Sequence, residues 1–228
     1  MFIDPLVYIA LAPAVLVPLW ARARTTLAFA KARRRPSSSS GAEAAAAVLR
    51  EAGIEGVAIV AIDGALGDFY DPGRRTLRLS KSVHDGRTLA SLAVAVREAG
   101  HAIRHGRRPW STLARAWLVP LVGIGAGVAW MVVVAGIVLD WPECLVAGLA
   151  LVAVVVLLRL ATLPIERDAI RRARDTLDAT ALIPSGDEAA LTSALNAAAL
   201  SPLAATIPNP LVPLSTIRNL VRTRRVEP

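Results

Sequence analysis

Cysteine, lysine, histidine and aromatic side chains are all scarce in this chain of 228 residues. A single cysteine, Cys144, excludes an intramolecular disulfide and a cysteine-based metal cluster. Three histidines, His84, His101 and His105, are the whole imidazole inventory, so metal chemistry has to be built from them and from carboxylates. Aromatic residues make up 4% of the chain. The basic runs at 33–35 and 222–225 therefore have no aromatic platform beside them, and no nucleic-acid partner is expected. They read instead as juxtamembrane segments lying against anionic lipid. Of 26 cations only Lys31 and Lys81 are lysine, a compositional habit, because the arginines form no single patch. Charge is missing altogether from residues 118–139, and residues 144–164 contain only Arg159.

What is present is apolar and basic at once: 54% hydrophobic, 19% charged, net charge +8 and mean hydropathy +0.51. That excludes a disordered or collagen-like chain and argues against an ordinary cytosolic globule. A bilayer core of about 30 Å takes about 20 apolar residues of helix, so 118–139 and 144–164 read as two spans. Asp140-Trp141-Pro142-Glu143 supplies the turn, giving a transmembrane helical hairpin. Residues 6–20 form a shorter apolar segment interrupted by Pro13 and Pro18. Its cations follow the apolar run instead of preceding it, which points to a retained N-terminal anchor (1–21) and not a cleaved signal. Cations crowd the end of that segment, the approach to the second span and the exit of the third, while the hairpin turn has two acids and no cation. Positive-inside reasoning places 22–117 and everything from 165 onward in the cytoplasm.

Residues 22–40 read as a basic Ser/Pro linker. A small α+β unit follows over 41–117, with a helix at 42–52, a strand at 57–62, a half-exposed strand at 76–80 after the turn Asp71-Pro72-Gly73, and a helix at 88–105. The hairpin occupies 118–164. Helices at 165–182 and 186–200 come next. Residues 201–228 form an apolar tail with Pro202, Pro208, Pro210 and Pro213 and a basic end; four prolines in twelve residues point to a re-entrant or surface-lying segment.

The stretch with chemical content is Arg97-Glu98-Ala99-Gly100-His101 on the last helix of the soluble unit. Zinc peptidases present H-E-x-x-H on a helix: two histidines one turn apart grip the metal, and the glutamate beside the first is the general base. Glu98 and His101 hold the second and fifth positions of that pattern. Alone, E-x-x-H is also a common solvated i,i+3 pair.

The wider sequence resembles the bacterial membrane-bound neutral zinc metallopeptidases. The resemblance runs in order through Met1-Phe2-Ile3-Asp4-Pro5, Gly41-Ala42-Glu43, Asp68-Phe69-Tyr70-Asp71-Pro72 and Leu77-Arg78-Leu79-Ser80. It continues through Glu98-Ala99-Gly100-His101-Ala102-Ile103, Leu118-Val119-Pro120, Leu163-Pro164-Ile165-Glu166-Arg167-Asp168-Ala169 and Ala197-Ala198-Ala199-Leu200, covering roughly residues 1–205. It implies an α-helical inner-membrane protein with a small α+β, zincin-like cytoplasmic domain. It also implies Zn²⁺ as cofactor and membrane or peptide substrates. Carried over by position, Glu98 is the catalytic base, His101 and Glu166 are metal ligands, and Asp168 supports them from behind.

Three positions depart from the family pattern. Arg97 stands where the family has its first histidine ligand, Phe69 where it has a histidine, and Pro202 where it has a tyrosine. A guanidinium has no lone pair for a metal and stays protonated. The resulting R-E-x-x-H site is expected to hydrolyse peptides weakly or not at all, the alternative being a non-catalytic membrane-associated binding or regulatory protein. His105, four residues after His101, is a weak alternative ligand, and His84 reads as a turn residue. Without metal, Arg97 is expected to reach Glu166 or Asp168 across the cleft.

Overall fold

Two helices run unbroken from the apolar layer into the soluble unit: α1 (Pro5–Arg33) and α6 (Pro142–Ala179). The computed structural model describes residues 4–63, 67–107, 109–180 and 186–207. Asp4 caps α1, its side chain accepting from the Leu6 N–H at 2.9 Å. Pro13 and Pro18 lie inside α1 without ending it. The helix also takes in most of the stretch expected to be linker, because Ala, Leu and Arg at 21–33 are good helix formers. Pro164 likewise sits inside α6, so the third span and the amphipathic helix expected at 165–182 are one element.

The other elements are α2 (Gly41–Glu51), β1 (Ala58–Ile62), β2 (Phe69–Asp71), β3 (Thr76–Ser80), α3 (Lys81–His84), α4 (Leu89–Arg107), α5 (Pro109–Val138), α7 (Glu188–Ala199) and α8 (Ser201–Ala204). β3 is the central strand, parallel to β1 with Ile59 opposite Leu77 and antiparallel to β2 with Tyr70 opposite Leu77. Only three residues long, β2 has no alternation to read and was not anticipated from sequence.

The chain is mostly helical, and among the described residues three helices are long and apolar enough to cross a membrane: α1, α5 from Leu121, and α6. Leu121, Ile124, Met131, Val134 and Ile137 on α5 and Leu157 on α6 are exposed, as lipid-facing side chains would be. The three helices meet around Ala14, Ala21, Ala129, Val133, Val152 and Val156, and Leu203 of α8 joins them. α5 and α6 approach closely because a Cβ on Gly148 would lie 2.6 Å from the Val133 nitrogen. Arg159, buried in the α6 span, donates to the Pro202 carbonyl. Trp130 Nε1 donates to the Thr206 carbonyl at 2.7 Å. Residues 201–207 of the expected tail thus pack on the spans; 208–228, with the remaining prolines, lie outside the described residues.

A second core belongs to the soluble unit. It unites α2 (Val48, Leu49), the sheet (Leu77, Leu79), α4 (Leu92, Val96, Ile103), the end of α6 (Ile170, Ala173, Leu177) and α7 (Leu191, Leu195). Ser40 and Glu43 form a reciprocal capping box at the start of α2, and Arg87 pairs with Glu43 at 2.7 Å.

Candidate functional site

Helix α4 carries the chemical residues because its spacing puts them on one side: Arg97, His101 and Arg104 recur at i, i+4 and i+7. That side meets α6 just beyond the apolar run. The approach depends on Gly100, where a Cβ would enter the van der Waals envelope of the Ala169 carbonyl oxygen and lie 3.0 Å from Ala173 Cβ. With no side chain there, His101 reaches Glu166, 65 residues away in sequence, and its Nε2 sits 3.1 Å from Oε2 of that carboxylate. Both residues are 1% exposed. His101 Nδ1 is buried with no hydrogen-bond partner among the described residues.

Glu98 is also 1% exposed. Its Oε1 accepts from Arg97 through Nε at 2.8 Å and through Nη2, and its Oε2 accepts from the Tyr70 N–H at 3.1 Å. Burial works against the charge on Arg97, but the carboxylates of Glu98, Glu166 and Asp68 outweigh it and hold the guanidinium protonated. Nη1 of Arg97 donates to the Ala198 carbonyl of α7 at 3.4 Å. The bridge expected from Arg97 to Glu166 or Asp168 is therefore not the one formed. The side chain folds back along α4 onto its neighbour, and Glu166 acts on it through space. Asp168 is taken up by Arg172 at 3.0 Å and lies 3.9 Å from Arg104 and 4.0 Å from Arg171.

The other sequence candidates lie apart from this group. Nδ1 of His105 shares a 2.9 Å hydrogen bond with the Tyr70 hydroxyl, so it does not join His101. Burial, with Arg75 adding to it, lowers the pKa of His105, and burial raises that of Tyr70. His84 pairs with Asp85 at 2.6 Å on the surface. Phe69 lies under the Arg78 guanidinium, 5.9 Å from its ring centre. Asp68 fastens β2 to β3, accepting from the Ser80 N–H at 2.6 Å and its hydroxyl at 2.9 Å.

Two contributors escaped the sequence reading. One is the Tyr70 N–H, since no sequence pattern reports a backbone donor. The other is Arg104, counted only as a topology-setting cation although its i+3 spacing from His101 was visible. The arrangement brings two buried carboxylates, Glu98 and Glu166, and the buried His101 imidazole together with the Arg97 and Arg104 guanidiniums where α4, α6 and β2 converge, with Asp168 at its edge.

Comparison with known proteins bears on this array. The chain is 33% identical over 190 residues to the "Putative membrane protease YugP" of Bacillus subtilis (strain 168), covering 82% of this chain and 84% of that protein. No solved structure gives a significant match. A family model described as "Putative neutral zinc metallopeptidase" matches residues 7–221, and the chain belongs to that family.

Proposed function

We propose that this protein is an inner-membrane member of the neutral zinc metallopeptidase family with a degenerate peptide-hydrolysing site, its soluble unit on the cytoplasmic side, in which hydrolysis is impaired or lost. The observation that carries this reading is the Arg97–Glu98 pair. A general base needs a free lone pair within reach of the water it activates. Here two guanidinium N–H groups occupy Oε1 of Glu98, Oε2 accepts a backbone N–H, and the side chain is 1% exposed, so little room is left for a water beside it.

The donor set bears on zinc in the same way. His101 Nε2 and Glu166 Oε2, 3.1 Å apart, are spaced roughly as two ligands at about 2.0 Å around one tetrahedral ion, about 3.3 Å. A catalytic zinc takes three protein ligands, and the side chain one turn before His101 is Arg97, which has no electron pair to offer. Among the described residues no group of three His, Cys, Asp or Glu side chains gathers here. The residues present do not fit a three-ligand zinc site. The zincin-like character of the domain rests on the family and on Glu98 and His101 sharing one helix. Its cytoplasmic placement rests on the cations flanking the spans.

The test is zinc content by elemental mass spectrometry and cleavage of a casein-type substrate, with full-length wild type, Arg97→His and Glu98→Ala purified in detergent. Wild type is expected to carry substoichiometric zinc and little or no Glu98-dependent cleavage, and Arg97→His to gain in zinc and in cleavage. Stoichiometric zinc in wild type, or wild-type cleavage that Glu98→Ala abolishes and Arg97→His does not increase, overturns the reading.

A further inference from the structure

We infer that the protein has a binding site for an anionic phospholipid headgroup in the cleft between α1, α6 and α7. The inference rests on the membrane reading of the helices and not on the zinc question. The cleft holds about 500 Å³ and is lined by Trp20, Arg24, Arg167, Arg171, Arg174 and Asn196, among others. A second cleft of about 520 Å³ adjoins it, sharing Arg24 and Asn196 and adding Lys31 and Thr192. Neither lining contains an aspartate or glutamate.

The three α6 arginines recur at i, i+4 and i+7 and so point the same way. Their nearest carboxylates are only loosely engaged: Asp168 stands 4.0 Å from Arg171, and Asp178 stands 3.7 Å from Arg174. Among the described residues no carboxylate pairs with Arg24 or Arg167. Arg24 instead stacks over Trp20, 5.6 Å from its ring centre, which fixes a cation above an aromatic suited to the membrane interface.

Depth chooses the ligand. At 1.5 Å per residue, Arg167 lies about 4.5 Å beyond the end of the apolar run at Pro164, and Arg24 about 6 Å beyond Trp20. The headgroup zone adds about 5–8 Å on each side of the hydrocarbon, so both guanidiniums stand at the level of lipid phosphates. Guanidinium forks match phosphate oxygens in pairs; Asn196 offers a donor to a headgroup hydroxyl, and the Thr192 hydroxyl, which donates to the Glu188 carbonyl at 2.6 Å, offers an acceptor. An anionic phosphodiester fits a cleft with cations and no acids; a zwitterionic headgroup would bring its own cation against them. Leu16 and Leu19 on α1, which precede Arg24 on the side of the apolar run, are exposed where acyl chains would lie.

The full chain, purified in neutral detergent, is titrated with phosphatidylglycerol, phosphatidylcholine and inorganic phosphate, and retained lipid is read by native mass spectrometry. One cation near an anionic surface contributes about 1 kcal/mol, or about fivefold. R167Q/R171Q/R174Q is therefore expected to lose phosphatidylglycerol binding about 10²-fold. The exposed single change R24Q should lose about fivefold, and it keeps the question open to refutation if the triple variant does not fold. R167K/R171K/R174K should keep the preference. R50Q/R74Q/R75Q, which removes three cations elsewhere on the soluble unit, should bind as wild type does. The inference falls if the triple Gln variant, or R24Q, binds as wild type does, if the distant control loses as much, or if the Lys variant does. It also falls if inorganic phosphate displaces phosphatidylglycerol at equal concentration, which would mark a site for soluble phosphate.

Discussion

Arg97→Met tests whether the guanidinium is the counter-charge that keeps Glu98 ionised inside the protein. Methionine keeps most of the stem but removes both Arg97 donors to Oε1, while the Tyr70 N–H stays on Oε2. Breaking a buried pair from one side costs about 3–5 kcal/mol, because the remaining charge is uncompensated. The Arg97 side chain is 15% exposed and the Tyr70 bond survives, which puts the expected loss at the lower end, about 3 kcal/mol. For a chain of this size that is a melting point lower by about 6–12 °C. Glu98→Gln leaves the opposite orphan, a guanidinium close to the surface and still attracted by Glu166, and should cost less, about 1–2 kcal/mol.

The double variant Arg97→Met/Glu98→Gln removes both charges, so its loss should be smaller than the sum of the two by more than about 1 kcal/mol. Thermal unfolding of the full chain in detergent, followed by the fluorescence of its five tryptophans, gives all four corners of the cycle. If Arg97→Met melts within about 2 °C of wild type, or the two changes add within about 0.5 kcal/mol, Arg97 is not the counter-charge. The account of a disabled base would then go with it.

Two further outcomes follow from geometry. Gly100→Ala must push α4 away from the Ala169 carbonyl, at a cost of about 1–3 kcal/mol, and the same shift separates His101 from Glu166. His101→Ala added to Gly100→Ala should then cost less than His101→Ala in wild type, and equal losses in the two backgrounds would show that the helices had not parted. The Ser40 N–H, with Arg87 assisting, holds Glu43 below the usual carboxylate range. A lowered pKa means stability that is present above the unfolded value of about 4.3 and lost as pH falls through the folded one. The melting-point gap between wild type and Glu43→Gln should accordingly close below about pH 4.3, and a gap constant from pH 7 to pH 3 contradicts the capping account.

The parts of the fold that were legible in the sequence are those where one physical demand overrides the rest. Lipid leaves no option but a helix over an uncharged run of about 20 residues, so both arms of the hairpin were readable from composition. Proline misled twice. At Pro13 and Pro18 of α1 and at Pro164 of α6, packing against neighbouring helices sustains a helix that proline alone would interrupt. In the site, the i+3 spacing of Glu98 and His101 was visible. The meeting of His101 with Glu166 was not, and it came from family resemblance, because a contact across 65 residues leaves no local periodicity. The partner of Arg97 was misread for a definite reason. Arg97 stands in the place of a metal ligand, which points across the cleft toward Glu166, and neighbours at i,i+1 do not ordinarily face each other on a helix. A long side chain can nevertheless curl back when its own neighbour is a buried carboxylate.

That curl matters because of where α6 stands. Adjacent residues on a helix point about 100° apart, so a single turn of α6 presents Glu166 inward to His101 and Arg167 outward to the basic cleft. The height of this turn is fixed against α4 by Gly100, which admits the Ala169 carbonyl, and against the bilayer by the apolar run that ends at Pro164. Sliding α6 along its axis by one residue, about 1.5 Å, would move Glu166 off the imidazole and carry Arg167 out of register with the headgroup layer together. The array at α4 and the cleft at α1 and α7 are therefore two faces of one positioned turn, and a variant that shifts α6 should disturb both, whereas Arg97→Met, whose one link to α7 is a 3.4 Å bond to the Ala198 carbonyl, should disturb mainly the first.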